Sequence, residues 1–266
     1  MKNKSTEYFL GANSVRGFYS CYDSFTDPLA GDKLYIIKGG PGGGKSGFMK
    51  KIASKAEEQG FAAEYVYCSG DPDSLDGVYF PEIKAAIVDG TAPHVTEPSH
   101  HGVTGFYIDL GRFCHFSGSS AEIIRLFSEY KSHYSPAYDY LKRYGTMHSS
   151  VMPDLDRYSA KLAKRASALV KKLGAGSLNP VEKSRFISAE TYKGRIVLTK
   201  EIENHDTVIA LSGVSGLAES LCRFIAYEAR GRNISATLYL DPLFPDSIIA
   251  VSLPDTSVIF FAREKF

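Results

Sequence analysis

Residues 34–58 read LYIIKGGPGGGKSGFMKKIASKAEE. Leu34 to Ile37 form a short β-branched and aromatic run, the composition of a buried strand. After Ser46 the apolar residues recur as Phe48, Ile52 and Ala56, the spacing of one helix face. Between the two, Gly39 to Ser46 spell G-x-x-x-x-G-K-S. Strand, glycine-rich loop and helix in this order predict a P-loop. The glycines and Pro41 let the backbone curl until successive amide groups point inward, and the helix behind them offers its positive end to an anion. Gly40, Pro41, Gly42, Gly43, Gly44, Lys45, Ser46 and Gly47 are therefore the expected phosphate cradle. Lys45 is expected to reach the β and γ phosphates as a point charge, and the Ser46 hydroxyl to ligate the magnesium ion between them.

A P-loop metal site also calls for a carboxylate at the end of a neighbouring strand. Ala85 to Val88 make an apolar run that ends at Asp89, which is the candidate, as both a catalytic and a metal-holding residue. Asp71, Asp73 and Asp76, in CSGDPDSLDG, compete for the same role. The histidines at 94, 100, 101 and 115 lack the i, i+4 helical pairing or spaced cysteines of a metal site. His94, just beyond Asp89, is the one expected to face a ligand.

Residues 209–226, IALSGVSGLAESLCRFIA, repeat the strand, small-residue turn and helix without the lysine. At an offset of 173 positions Ile209 falls under Ile36, Gly213 under Gly40 and Gly216 under Gly43, and the register runs on to Pro245-Asp246-Ser247 under Pro72-Asp73-Ser74. Further upstream, YFLGANSVRGF faces RFISAETYKGR after a four-residue slip. Such self-similarity predicts a duplicated supersecondary unit. Lys45 then faces Ala218 and Ser46 faces Glu219, whose carboxylate repels phosphate, so the second unit is expected to be degenerate and to hold no nucleotide. Asp89 faces Ala262, whereas Asp73 faces Asp246, which assigns Asp73 to a turn or a cap rather than to a metal. Arg16 faces Lys193, a basic residue before glycine in both places.

Between these units, residues 119–145 carry Ile123, Phe127, Tyr130, Tyr134, Tyr138 and Leu141 on a helical stripe, with a bend expected at Pro136. A second helix is expected after Pro153, with Leu155, Tyr158, Leu162, Ala166, Leu169 and Leu173 on one face. The two predict an inserted helical hairpin. Arg157, Lys161, Lys164, Arg165, Lys171 and Lys172 fall on the polar face of the second helix, which reads as a solvated surface. Residues 174–180, GAGSLNP, read as a linker. The domain reading is thus 1–118 for the P-loop unit, 119–175 for the hairpin and 181–266 for the second unit.

Composition narrows the partners. The chain has 266 residues, 44% of them hydrophobic, and a net charge of +1, so no broad field favours nucleic acid or an anionic membrane. Residues 1–17 lack the apolar core of a secretory signal, and no run of about 18 apolar residues occurs. The expectation is a cytoplasmic protein. Four scattered cysteines without C-x-x-C spacing read as reduced packing residues.

The segments GANSVRGFYS, IIKGGPGGGKS, SGDPDSLDGVYFPEIKAAIVDGTAPH and RFISAETYKGR together resemble a poorly characterised bacterial family of two-halved P-loop ATPase-like proteins. Proteins of that kind carry an intact loop in each half, from which this chain departs in its second half. The resemblance implies an NTP-binding fold and supplies no established substrate; the residues themselves read as an α/β protein, a P-loop NTPase-type parallel sheet flanked by helices, with ATP or another NTP and magnesium as ligands. The reading that follows is a magnesium-dependent ATPase with one site. The alternatives are a kinase for a small molecule or nucleotide, with residues 71–76 and His94 touching the acceptor, and a non-catalytic ATP sensor acting through a protein partner or a second copy.

Overall fold

A computed structural model describes residues 4–91, 95–98, 100–114, 118–149, 155–174, 176–213 and 216–263. In chain order the elements are β1 (Thr6–Phe9), β2 (Gly11–Ser14), β3 (Gly17–Ser20), β4 (Lys33–Lys38), α1 (Lys45–Glu58), β5 (Glu64–Tyr67), β6 (Leu75–Phe80), β7 (Ala85–Asp89) and β8 (Gly105–Asp109). Next come three helices, α2 (Ser120–Ser132), α3 (Tyr134–Ser149) and α4 (Ser159–Val170). The rest comprises β9 (Glu182–Arg185), β10 (Ser188–Thr191), β11 (Gly194–Val197), α5 (Lys200–Glu203), β12 (Thr207–Leu211), α6 (Leu217–Gly231), β13 (Ala236–Leu240), β14 (Ile248–Leu253) and β15 (Val258–Ala262). The chain is an α/β protein with two mixed sheets of mostly parallel strands flanked by helices.

The first sheet runs β1-β5-β6-β7-β4-β8 and the second β9-β13-β14-β15-β12, the same order without a partner for β8. In each sheet one strand departs from the parallel expectation, β6 in the first and β14 in the second. Both follow tight connections too short for the crossover that a parallel strand requires. The ladder irregularities also correspond, lying between Val66 and Tyr67 in one sheet and between Tyr239 and Leu240 in the other. The ungapped offset of 173 fails at one place. Lys33 pairs with Ala85, but Thr207 pairs with Val258, so β12 is displaced by one residue. The turn before α6 is correspondingly one residue shorter, with five residues between strand and helix against six before α1.

Apolar side chains explain the layers. Ile37, Leu75, Val78, Phe80 and Ile87 line one face of the first sheet and pack under Met49 and Ala53 of α1. Burying them removes each from water at about 1.5–3 kcal/mol apiece. A larger cluster spans both sheets and includes Tyr8, Phe9 and Val66 from the first with Leu238, Val251 and Phe260 from the second, and Ile225 from α6. Phe9 and Phe186 exchange both backbone hydrogen bonds, at 2.8 and 2.9 Å, in an antiparallel bridge between the two sheets.

The intervening helices differ from the expected hairpin. Helix α2 ends at Ser132, with His133 as its C-cap, and α3 starts at Tyr134, which puts Pro136 in a first turn, where its missing N–H costs little, rather than at a mid-helix bend. Helix α3 lies against β2 and β3, whereas α4 packs on α6 and buries Ala166 and Val170 there. The apolar stripe expected on α4 is the face it buries, and Arg157, Lys161, Lys164, Arg165, Lys171 and Lys172 are exposed. Among the described residues, no helix is long and apolar enough to cross a membrane.

Candidate functional site

The loop between β4 and α1 lies at the carboxyl end of the first sheet, where ligands of open α/β sheets bind. Gly42 and Gly44 take φ of 74° and 80°, the left-handed region that a side chain resists. A Cβ on Gly43 would stand 3.0 Å from the Gly40 carbonyl oxygen, so a larger residue there would have to push the curl open by a few tenths of an ångström. Gly44 is also the N-cap of α1 and has no side chain with which to cap it. The first intrahelical bond runs from the Phe48 N–H to Gly44 O at 2.9 Å. The N–H groups of Lys45, Ser46 and Gly47 precede that bond and are free of intrahelical partners, the arrangement at which helix N-termini can receive anions.

Lys45 folds into the loop. Its Nζ donates to Gly39 O at 2.8 Å and Gly40 O at 3.0 Å, and lies 3.6 Å from Asp89 Oδ2. Both side chains are largely buried, at 9% and 14% exposure, so their attraction is weakly screened. Asp89 ends β7, beside Ile37 of β4, as the apolar run ending in a carboxylate predicted. Its Oδ1 accepts from Thr91 N at 2.9 Å and Thr91 Oγ1 at 2.6 Å, which fixes the carboxylate and leaves Oδ2 toward the lysine. Ser46 Oγ accepts from Leu75 N at 2.9 Å, tying the first turn of α1 to the start of β6. A cavity of about 380 Å³ joins Gly42 to Gly47 with Lys50, Asp73, Ser74 and Asp89.

The competing carboxylates separate. Asp76 is buried on β6, where its Oδ2 accepts from the Tyr22 hydroxyl at 3.2 Å, and it does not line this cavity. Asp71 closes a turn, with Oδ2 taking the Ser74 hydroxyl at 2.6 Å and Oδ1 the Asp73 N–H at 3.3 Å. Asp73 lines the cavity from a turn, one of the two places expected of it, and its Oδ2 binds Lys193 Nζ. The counterpart pair is Arg16 with Asp246. Each basic residue belongs to the hairpin attached to one sheet and each aspartate to a turn of the other. Lys50 and Arg223 complete the correspondence by donating to the carbonyl oxygens of Asp73 and Asp246, at 2.5 and 2.9 Å. His94 lies outside the described residues, as do Val214 and Ser215 of the second loop. In that second loop Gly216 caps α6 with φ of 82°, and Glu219 occupies the first helical turn.

The sequence reading missed a second, larger cavity of about 860 Å³ that shares Asp89 with the first. Its walls combine the carboxyl end of β5, Tyr130, Tyr134 and Tyr138 from α2 and α3, and Thr191 and Tyr192 from the hairpin of the second sheet. The tyrosine spacing of four residues was visible as a stripe, but nothing in it told which surface the stripe faces. No family model, curated protein or solved structure matches the chain, so its resemblance to two-halved ATPase-like proteins rests on the quoted motifs.

Proposed function

We propose that the chain binds one ATP, with magnesium, in the loop of residues 39–47 and hydrolyses it. The observation that carries this reading is the Lys45 ammonium, held inside a curl of glycine amides by two loop carbonyls and 3.6 Å from Asp89. A triphosphate offers Lys45 stronger, charge-assisted acceptors than the two carbonyls it now holds. The amides of Lys45, Ser46 and Gly47 then receive the phosphate oxygens. Ser46 and Asp89 are the residues that would hold magnesium. The set suits that ion, which keeps several waters and takes only one or two protein ligands beside the phosphates. Held by these residues, magnesium would supply positive charge against the phosphates.

The second sheet reads as a degenerate copy of the first unit. A strand order that matches apart from β8, the corresponding ladder irregularities and the exchanged ion pairs support that origin. It offers no lysine at its loop and sets Glu219 in the helical turn, so one nucleotide per chain is expected. Transfer to a small-molecule acceptor is the second reading, favoured by the cavity beyond Asp89.

Titration calorimetry with Mg-ATP tests the binding. A stoichiometry of one is expected, with Lys45→Ala weakening affinity about tenfold or more, the equivalent of losing a hydrogen bond to a charged group. Undiminished binding by Lys45→Ala overturns the site. Release of labelled phosphate without any added acceptor supports hydrolysis; label appearing only on a metabolite from an added extract supports transfer.

A further inference from the structure

The larger cavity has a chemistry of its own. Tyr130, Tyr134 and Tyr138 follow one another at four-residue intervals across the break between α2 and α3, so their rings form a ladder. The first two meet edge to face with centroids 5.3 Å apart, and the next pair lies 6.1 Å apart. The Tyr138 hydroxyl donates to Asn13 Oδ1 at 2.9 Å, which ties the ladder to β2. At about 860 Å³ the space suits a small organic molecule, since such sites usually measure about 300–1,000 Å³.

Charge selects among such molecules. The lining carries Asp71, Asp89 and Glu190 and no lysine or arginine among the described residues. Asp89 has Lys45 behind it and Glu190 has Arg195, whose Nε lies 2.6 Å from Glu190 Oε1. Among the described residues Asp71 receives only neutral donors, the Ser74 hydroxyl and the Asp73 amide, and it is exposed. An anionic ligand would meet this carboxylate and the negative faces of the rings. A cation is attracted by both.

We propose that the tyrosine-lined cavity binds a small organic cation, an ammonium or amidinium group on a compact apolar body, with Asp71 and the Tyr134 ring as its principal partners. Asp89 belongs to both cavities, so the cation and the nucleotide influence each other; that coupling alone rests on the ATP reading, and the cation site does not.

Calorimetry on the full chain without nucleotide tests it, with benzyltrimethylammonium as probe and phenylacetate as the anionic comparison. The cation is expected to bind at least tenfold tighter than the anion. Asp71→Asn should weaken it about fivefold or more, Tyr134→Leu likewise, and Tyr134→Phe, which keeps the ring, should restore it. Folding of each variant is checked by its thermal melt, and Asp71→Asn decides if Tyr134→Leu fails to fold. No saturable binding of the cation, equal binding of the anion, or an unchanged Asp71→Asn overturns the proposal. A chain that binds the cation but not ATP refutes the nucleotide reading and leaves this one standing; the converse separates them the other way.

Discussion

Replacing Glu64 by alanine should be among the most damaging single changes in this chain. Glu64 Oε2 accepts from Arg185 Nη2 at 2.7 Å and from the Tyr8 hydroxyl at 2.7 Å, and the guanidinium stacks over the Tyr8 ring at 3.8 Å. Arg185 comes from β9 and Glu64 from β5, so the pair spans the two sheets in a site where the arginine is only 8% exposed. Burial is the largest single influence and opposes the charge on Arg185, but Glu64 together with Tyr8, Tyr239 and Glu201 outweighs it and holds the guanidinium firmly protonated. Glu64→Ala therefore strands a buried cation. Breaking one side of a buried pair costs about 3–5 kcal/mol. For a chain of this size that corresponds to a fall of about 10 °C in Tm, at about 2–4 °C per kcal/mol. Urea titration gives the free energy and calorimetry the Tm. Removing both charges, as Glu64→Leu with Arg185→Met, should recover most of the loss, since apolar replacement of a whole buried pair is often neutral. A loss below about 1 kcal/mol for Glu64→Ala, or a double variant no better than the single, would refute the reasoning.

Two further outcomes follow from burial. Ser188 Oγ is buried without a hydrogen-bond partner among the described residues, so Ser188→Ala should leave stability unchanged or raise it by up to about 1 kcal/mol, read from the urea midpoint. Burial, reinforced by Asp23 and Asp76 respectively, pushes the Cys21 and Cys68 thiols up to about 12, and burial also raises Cys222. A thiol raised in the folded state stays protonated where the unfolded chain has ionised, so its stabilising effect is complete below the unfolded value near 9 and is lost as pH climbs toward 12. The urea midpoint should fall over that range, and replacing Cys21 and Cys68 by alanine should flatten the slope.

What could be read from the sequence was what local chemistry dictates. The run from Leu34 to Ile37, the glycines, and the spacing of Phe48, Ile52 and Ala56 specify strand, turn and helix without help from distant residues, and Asp89 ends its strand as its apolar run foretold. The offset of 173 pointed to β13, β14 and β15 as counterparts of β5, β6 and β7. Its failure at β12 has a physical cause: a shorter turn before α6 draws the strand along by one residue, and an ungapped comparison registers no change in turn length. The placement of α4 was hidden because an amphipathic stripe reports that a face is buried, not against what. Arg16 and Lys193 stood out as a recurring basic position, and Asp73 and Asp246 as a recurring acid. That each base meets the acid of the opposite unit follows only from the way the two sheets meet at Phe9 and Phe186.

The exchanged hairpins bear on how any nucleotide signal would travel. Lys193 grips the same short turn that Lys50 of α1 holds from the other side, so residues 71–74 are suspended between the phosphate loop's helix and the neighbouring unit. A shift of α1 toward bound phosphate would tug that turn, and with it the strap formed by β10 and β11, whose tip also borders the tyrosine cavity. The second unit thus keeps a hand on the turn that α1 also holds, so any displacement of that helix is passed to its neighbour through a single aspartate.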